Sequence, residues 1–135
     1  MKLVSVVAGL ALAAALAGPV SAKTYLCKFT GSVVGKTISE TVGILHNEST
    51  GEVLVQDGFT NNYVGGPMTA TLKSMNGTRV LYTWQLPSLK DEKGQWIPGV
   101  TFSLNIVRAS LKASINSAPS GNYKATRASG ACTAQ

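Results

Sequence analysis

The chain of 135 residues carries one histidine, two cysteines and six acidic residues, and these limit the chemistry it can perform. Nucleophilic catalysis needs a base within hydrogen-bond reach of a Ser or Cys. His46 is the one imidazole. It ends a β-branched stretch, borders the polar turn Asn47–Gly51 and has no evident partner, so it reads as a solvated turn histidine. No G-x-S-x-G elbow is present, and no Gly-rich phosphate loop. Asp91 and Glu92 lie between Lys90 and Lys93 and read as solvated loop charge. Glu40 and Asp57 could meet across strands, but no spacing requires it. Two cysteines and one histidine are too few for a tetrahedral metal site. The expectation is a protein without catalytic residues, cofactor or metal.

The aromatic residues offer more. Phe59 and Tyr63 fall in the connection Asp57–Pro67, and Trp96 falls in the connection Pro87–Gly99. Asn61, Asn62 and Gln95 stand beside them as amide donors and acceptors. Aromatic rings with adjacent amides suit protein or sugar recognition. Long loops on a rigid sheet are also where binding residues concentrate. The competing reading is that these rings fold back and plug the ends of the domain. These six residues are the candidate binding set.

The elements that must carry them begin after a leader. Met1-Lys2 is a short basic start, Leu3–Ala17 is apolar or small apart from Ser5, and Gly18-Pro19 precedes the small residues Val20-Ser21-Ala22. This pattern is that of a secretory signal peptide over residues 1–22, forming a helix, with the mature chain starting at Lys23. Its apolar run is short for a membrane span, and no later segment approaches the roughly 20 apolar residues a span needs. The remaining 113 residues suffice for one domain and are too few for two. They hold 11 basic and 6 acidic residues, a formal charge of +5, with no five-residue window holding more than three Lys or Arg. Such scattered charge reads first as ordinary solubility; its functional reading is weak steering toward an anionic partner such as acidic lipid, nucleic acid or an anionic envelope polymer, and no cluster marks a dedicated, sequence-specific nucleic-acid binder. Cys27 and Cys132 are 105 positions apart, and in an oxidising compartment they are expected to pair.

Strand signals recur through residues 23–135. Tyr25, Cys27 and Phe29 share one parity, as do Val80, Tyr82, Trp84 and Leu86, and Phe102, Leu104 and Ile106. Further strands are expected over Ile38–Leu45, Val53–Gln56, Thr69–Ser74, Leu111–Ile115 and Asn122–Ala128, with a turn at Ala118–Gly121. Asn76-Gly77 marks a hairpin. A two-residue loop would turn Lys73 to the core side. A three-residue loop, Met75–Gly77, pairs Leu72 with Val80 and gives Gly77 a positive φ, so that loop, with a bulge, is expected. Asn47-Glu48-Ser49 and Asn76-Gly77-Thr78 match the glycosylation pattern and read here as turns. About eight half-buried strands with short turns imply an antiparallel meander. A closed or nearly closed barrel places first and last strands side by side, as the cysteines require; a β-sandwich is the alternative.

Tyr25-x-Cys27-x-Phe29, Thr50-Gly51-x-Val53, Gly65-Gly66-Pro67, Thr83-Trp84 and Gly130-x-Cys132 together span most of the mature chain. In this order they resemble a pattern of small, exported, uncharacterised bacterial all-β proteins with a terminal-to-terminal disulfide. The resemblance implies an exported β domain and carries over no activity or site residue. Ser120-Gly121-Asn122-Tyr123 is similar to the Ser-Gly-x-x-Tyr loop of periplasmic lysozyme inhibitors, but it is one residue short, and a basic protein would be repelled by a basic lysozyme. The expected function is therefore that of an exported, non-catalytic envelope protein that binds a protein or surface polymer through aromatic loops. The alternative is a carrier of a small apolar ligand inside the barrel; a lysozyme-inhibitor-like protein or a hydrolase ranks lower.

Overall fold

The computed structural model describes residues 22–90, 92–121 and 123–135. The expected signal peptide and its helix lie outside these residues except for Ala22, which opens the first strand. Asp91 and Asn122 also lie outside them.

Eight strands close an antiparallel barrel. They are β1 (Ala22–Thr30), β2 (Thr41–Asn47), β3 (Val53–Gln56), β4 (Met68–Met75), β5 (Arg79–Leu86), β8 (Val100–Val107), β9 (Lys112–Pro119) and β10 (Thr126–Ala134). A small hairpin of β6 (Leu89–Lys90) and β7 (Trp96–Ile97) is inserted between β5 and β8. A single helical turn and a half, α1 (Gly58–Tyr63), links β3 to β4. Each barrel strand pairs with its neighbour in the chain, and β10 returns to pair with β1.

The alternation read from the sequence becomes the inside and outside of this barrel. Tyr25, Cys27, Phe29, Val80, Tyr82, Trp84, Leu86, Phe102, Leu104 and Ile106 are all buried. Eight strands enclose a space just wide enough for side chains to fill, and the rings of Phe29, Tyr82 and Phe102 take up much of it. Cys27 stands directly opposite Cys132 in the β1–β10 register, and the two form the expected disulfide. The same seam runs on to Gln135, which exchanges backbone hydrogen bonds with Thr24 at 2.9 and 3.0 Å. Closing it demands a close approach. Gly130 faces Phe29, and a Cβ there would overlap the Lys28 carbonyl oxygen.

An antiparallel meander sends alternate connections to opposite ends. Residues 31–40, 57–67, 87–90, 92–99, 120–121 and 123–125 gather at one end, here the loop end. The tight turns after β2, β4 and β8, together with Ala22 and Gln135, gather at the other. Two of these turns are built by asparagine. Asn47 Oδ1 accepts from the N–H groups of Ser49 and Thr50, and Asn76 Oδ1 accepts from those of Thr78 and Arg79. Both glycosylation-like triplets are thus turns, as expected.

Four expectations need correction. In the β4–β5 hairpin Leu72 pairs with Tyr82, not Val80, and Met75 pairs with Val80. The bulge sits at Lys73, within β4, and lets that ammonium stay in water while Leu72 faces inward. Gly77 does not take a positive φ, because the Asn76 side chain closes the turn instead. The turn expected at Ala118–Gly121 begins only after Pro119, since β9 continues to that residue, and the last strand is Thr126–Ala134, not Asn122–Ala128. Its pairing on both sides, to β1 and β9, holds a stretch of small residues in strand form. Finally, β2 starts at Thr41, although Ile38 before it is fully buried.

Candidate binding site

The loop end is organised by α1, which no helical period announces in the sequence. Its start is chemical. Asp57 is the N-cap, its Oδ1 accepts from the Thr60 N–H at 2.8 Å, and the Thr60 hydroxyl accepts from the Asp57 N–H at 2.9 Å. This reciprocal pair satisfies two backbone donors that a helix start otherwise leaves open. The signal was present as Asp-x-x-Thr, with Thr in the place usually held by Glu or Gln. The helix stops where Val64, Gly65 and Gly66 all direct their N–H groups at the Thr60 carbonyl. Gly65 has φ 92°, the left-handed geometry that ends many helices.

Asp57 is buried, and its carboxylate is engaged within α1. Burial raises the Asp57 carboxyl above its ordinary range. The Thr60 N–H, the Ser39 hydroxyl and the Phe59 N–H offset part of that rise. Oδ2 makes no well-formed hydrogen bond.

From α1 a chain of rings leads out of the core. Trp84 lies flat on Phe102, with centroids 5.5 Å apart. Phe102 meets Phe59 at 5.9 Å, and Phe59 stacks on Tyr63 at 6.4 Å. Burial falls along this series: Phe102 is 1% exposed, Phe59 is half-buried and Tyr63 is 44% exposed. Beside the two outer rings lies an apolar hollow of about 240 Å³, walled by Leu86, Pro87, Ile97, Pro98 and Pro119. Lys36 and the Ser117 hydroxyl are among its few polar groups. On the other side of Tyr63 a polar cleft of about 540 Å³ is lined by Asn62, Lys90, Glu92, Lys93 and Gln95.

The structure therefore draws Phe59, Asn62, Tyr63 and Gln95 around adjoining hollows at one end of the barrel. Phe59 packs on the core as a plug, and Tyr63 presents its face to solvent. Trp96 borders neither hollow. It projects from the β6–β7 hairpin, 68% exposed, with the Lys90 ammonium 5.0 Å from its ring centre. Asn61 points back from α1 to the end of β3, where it accepts from the Gln56 amide at 2.9 Å. Leu86, Phe102 and the three prolines are wall residues that sequence reading did not single out. They become neighbours only when the strand ends converge.

His46 is the clearest revision. It is buried at the turn end, not solvated, and its Nδ1 lies 2.8 Å from the Tyr82 hydroxyl. The two rings meet edge to face at 5.5 Å. Its parity with Val42 and Ile44, both inward, was the available signal. Burial, then the neighbouring Tyr25 and Glu48, push the Tyr82 phenol above the usual tyrosine value, so it keeps its proton. Among the described residues no three His, Cys, Asp or Glu side chains gather where they could hold a metal ion. Comparison with protein-family models, curated proteins and solved structures returned no match.

Proposed function

We propose that this is an exported, non-catalytic binding protein of the bacterial envelope that recognises a protein or surface polymer through the aromatic end of its barrel. The observation that carries this reading is the run of rings from Trp84 to Tyr63, anchored in the core and emerging beside an apolar hollow. A ring held rigidly at its base presents contact area with little conformational entropy to lose on binding. The large apolar residues Tyr63, Val64 and Trp96 are all exposed at this end. Export accounts for the disulfide, and no helix among the described residues is long and apolar enough to cross a membrane.

Affinity capture from an envelope extract tests this. Bait carrying Tyr63→Ala and Trp96→Ala should lose the partners that wild-type bait retains, while its circular dichroism stays unchanged. Phe59→Ala is a poorer probe because it also uncovers Phe102. Undiminished capture by the double variant would remove the loops from the binding surface.

A second reading rests on the hollow itself. A cavity of about 150 Å³ can already hold benzene, so about 240 Å³ suits a small apolar ligand at the barrel mouth. A carrier of this kind would co-purify with a small adduct visible by native mass spectrometry.

A further inference from the structure

The barrel wall carries a second surface, separate from the aromatic end. None of the described acidic residues lies in a strand; Glu40, Glu48, Glu52, Asp57 and Glu92 all sit in connections. The charged residues of the barrel strands are all basic: Lys23, Lys28, Lys73, Arg79, Lys112 and Arg127. Charge is scattered along the sequence yet segregated in the fold, because strand pairing brings distant residues together.

Across β10, β9, β8 and β5 this segregation makes a defined trough. Arg127, Asn116 and Ser103 follow one another through consecutive strand pairs. Ser114, Asn105 and Leu81 form the next row. Arg79 joins them in a depression of about 460 Å³ whose lining contains no acidic residue. Ser103, Asn105 and Ser114 are half-buried although they face outward, so the floor is set back between the longer arginine side chains. No hydrogen bond or ion pair to a described residue engages either guanidinium; Arg79 is tied to the Asn76 turn by its backbone alone, its N–H donating to Asn76 Oδ1 and its carbonyl accepting from the Asn76 N–H.

We infer that this trough binds an acidic polysaccharide, with Arg79 and Arg127 taking its carboxylate or sulfate groups and the Asn and Ser rows bonding its hydroxyls. Guanidinium groups match planar carboxylates through paired N–H donors. Amides and hydroxyls both donate and accept, as a polyhydroxylated chain requires. The lining contains no aromatic ring, which single-stranded nucleic acid would need for stacking. Leu81 is its one large apolar side chain, too little for insertion into a lipid surface.

The test uses the full chain with polygalacturonate oligomers, neutral dextran, a single-stranded DNA oligonucleotide and phosphatidylglycerol vesicles, each titrated by calorimetry at low salt. Polygalacturonate should bind, weaken with added salt and be preferred over the other three. Each arginine replaced by glutamine should weaken it roughly tenfold, and R79Q with R127Q together roughly a hundredfold. Both residues are exposed, so the variants should fold as the parent does. The variant Y63A/W96A, which disables the aromatic end, should bind polygalacturonate as the parent does. Absence of binding, an unchanged affinity in R79Q/R127Q, loss of binding in Y63A/W96A, or preference for DNA or vesicles would each overturn the assignment.

Discussion

Reducing the Cys27–Cys132 bond should remove about a third or more of the stability of this domain. The bond joins residues 105 apart and so closes nearly the whole described chain into one loop. In the chain-entropy account a loop of this length restricts the unfolded state by about 4.7 kcal/mol. Total stabilities of such domains are only about 5–15 kcal/mol. With a urea slope of about 1.5 kcal/mol/M, the midpoint should fall by about 3 M. Both sulfurs are buried in the β1–β10 seam, so the reduced form must be prepared by unfolding in reductant and refolding with reductant present. Thiols retained at both positions keep the packing, which separates the entropy of the crosslink from any cavity that Cys→Ala would open. Urea melts of the two forms, followed by tryptophan fluorescence, give the comparison. A shift below about 1 M with an unchanged slope would refute the reasoning. It would mean that the seam's hydrogen bonds hold first and last strands together without the crosslink, or that the unfolded chain is already compact.

Substitutions at three positions bear on particular contacts. Asp57 has a raised native carboxyl, so the native state holds its proton more tightly than the unfolded chain. The stability linked to that proton is present below the ordinary value of 3.8 and is lost as pH rises through the native value. Asn caps helices as well as Asp does, so Asp57→Asn should match or exceed the parent at neutral pH and flatten this part of the pH profile. Asp57→Ala should cost about 0.5–2 kcal/mol through the lost cap; a pH profile of Asp57→Asn identical to the parent's would show that the carboxyl is not burdened by burial. Gly130→Ala should destabilise by at least about 1–3 kcal/mol, because the new methyl meets Lys28 and Phe29 backbone that cannot yield as a side chain would. A melting temperature equal to the parent's would contradict the close approach. Tyr82→Phe should cost about 1–3 kcal/mol by leaving His46 Nδ1 buried and unpartnered, and a melt as stable as the parent's would show that water replaces the hydroxyl.

How much could be read beforehand follows from the kind of signal each element carries. β1, β5 and β8 bury large side chains at alternate positions, so Tyr25 to Phe29, Val80 to Leu86 and Phe102 to Ile106 announce both strand and inward face. The disulfide then fixed which strands are neighbours. β10 gives no such signal, because Ala128, Gly130 and Cys132 are too small to stand out, and smallness is what the crowded seam requires. The β4–β5 register is not legible in the alternation because one unpaired residue, Lys73, shifts every later pair. Helix α1 is too short to show a period, and its Asp57–Thr60 capping pair was the readable trace. Of the candidate binding residues, position within loops placed Phe59, Asn62, Tyr63 and Gln95 at one end, but it could not distinguish them from Asn61, which is held by Gln56.

The separation of the two barrel ends constrains how function can be organised. The turn end is knotted by asparagine side chains and by the buried His46–Tyr82 contact, and it also receives both ends of the described chain. A binding surface there would have to displace packed groups. The loop end carries the four longer connections, which need only meet the strand ends and are otherwise free in sequence. The wall between them is constrained by side-chain packing on its inward face alone, so its outward rows are free to carry Arg79, Asn105, Asn116 and Arg127. An aromatic end and a cationic wall on separate surfaces would let one small barrel hold a polymer along its side while its mouth stays open to a second partner. Binding at the two surfaces should then be independent: saturating the wall with polygalacturonate should leave the capture of a loop-end partner unchanged, and competition between them would place both ligands on a single surface.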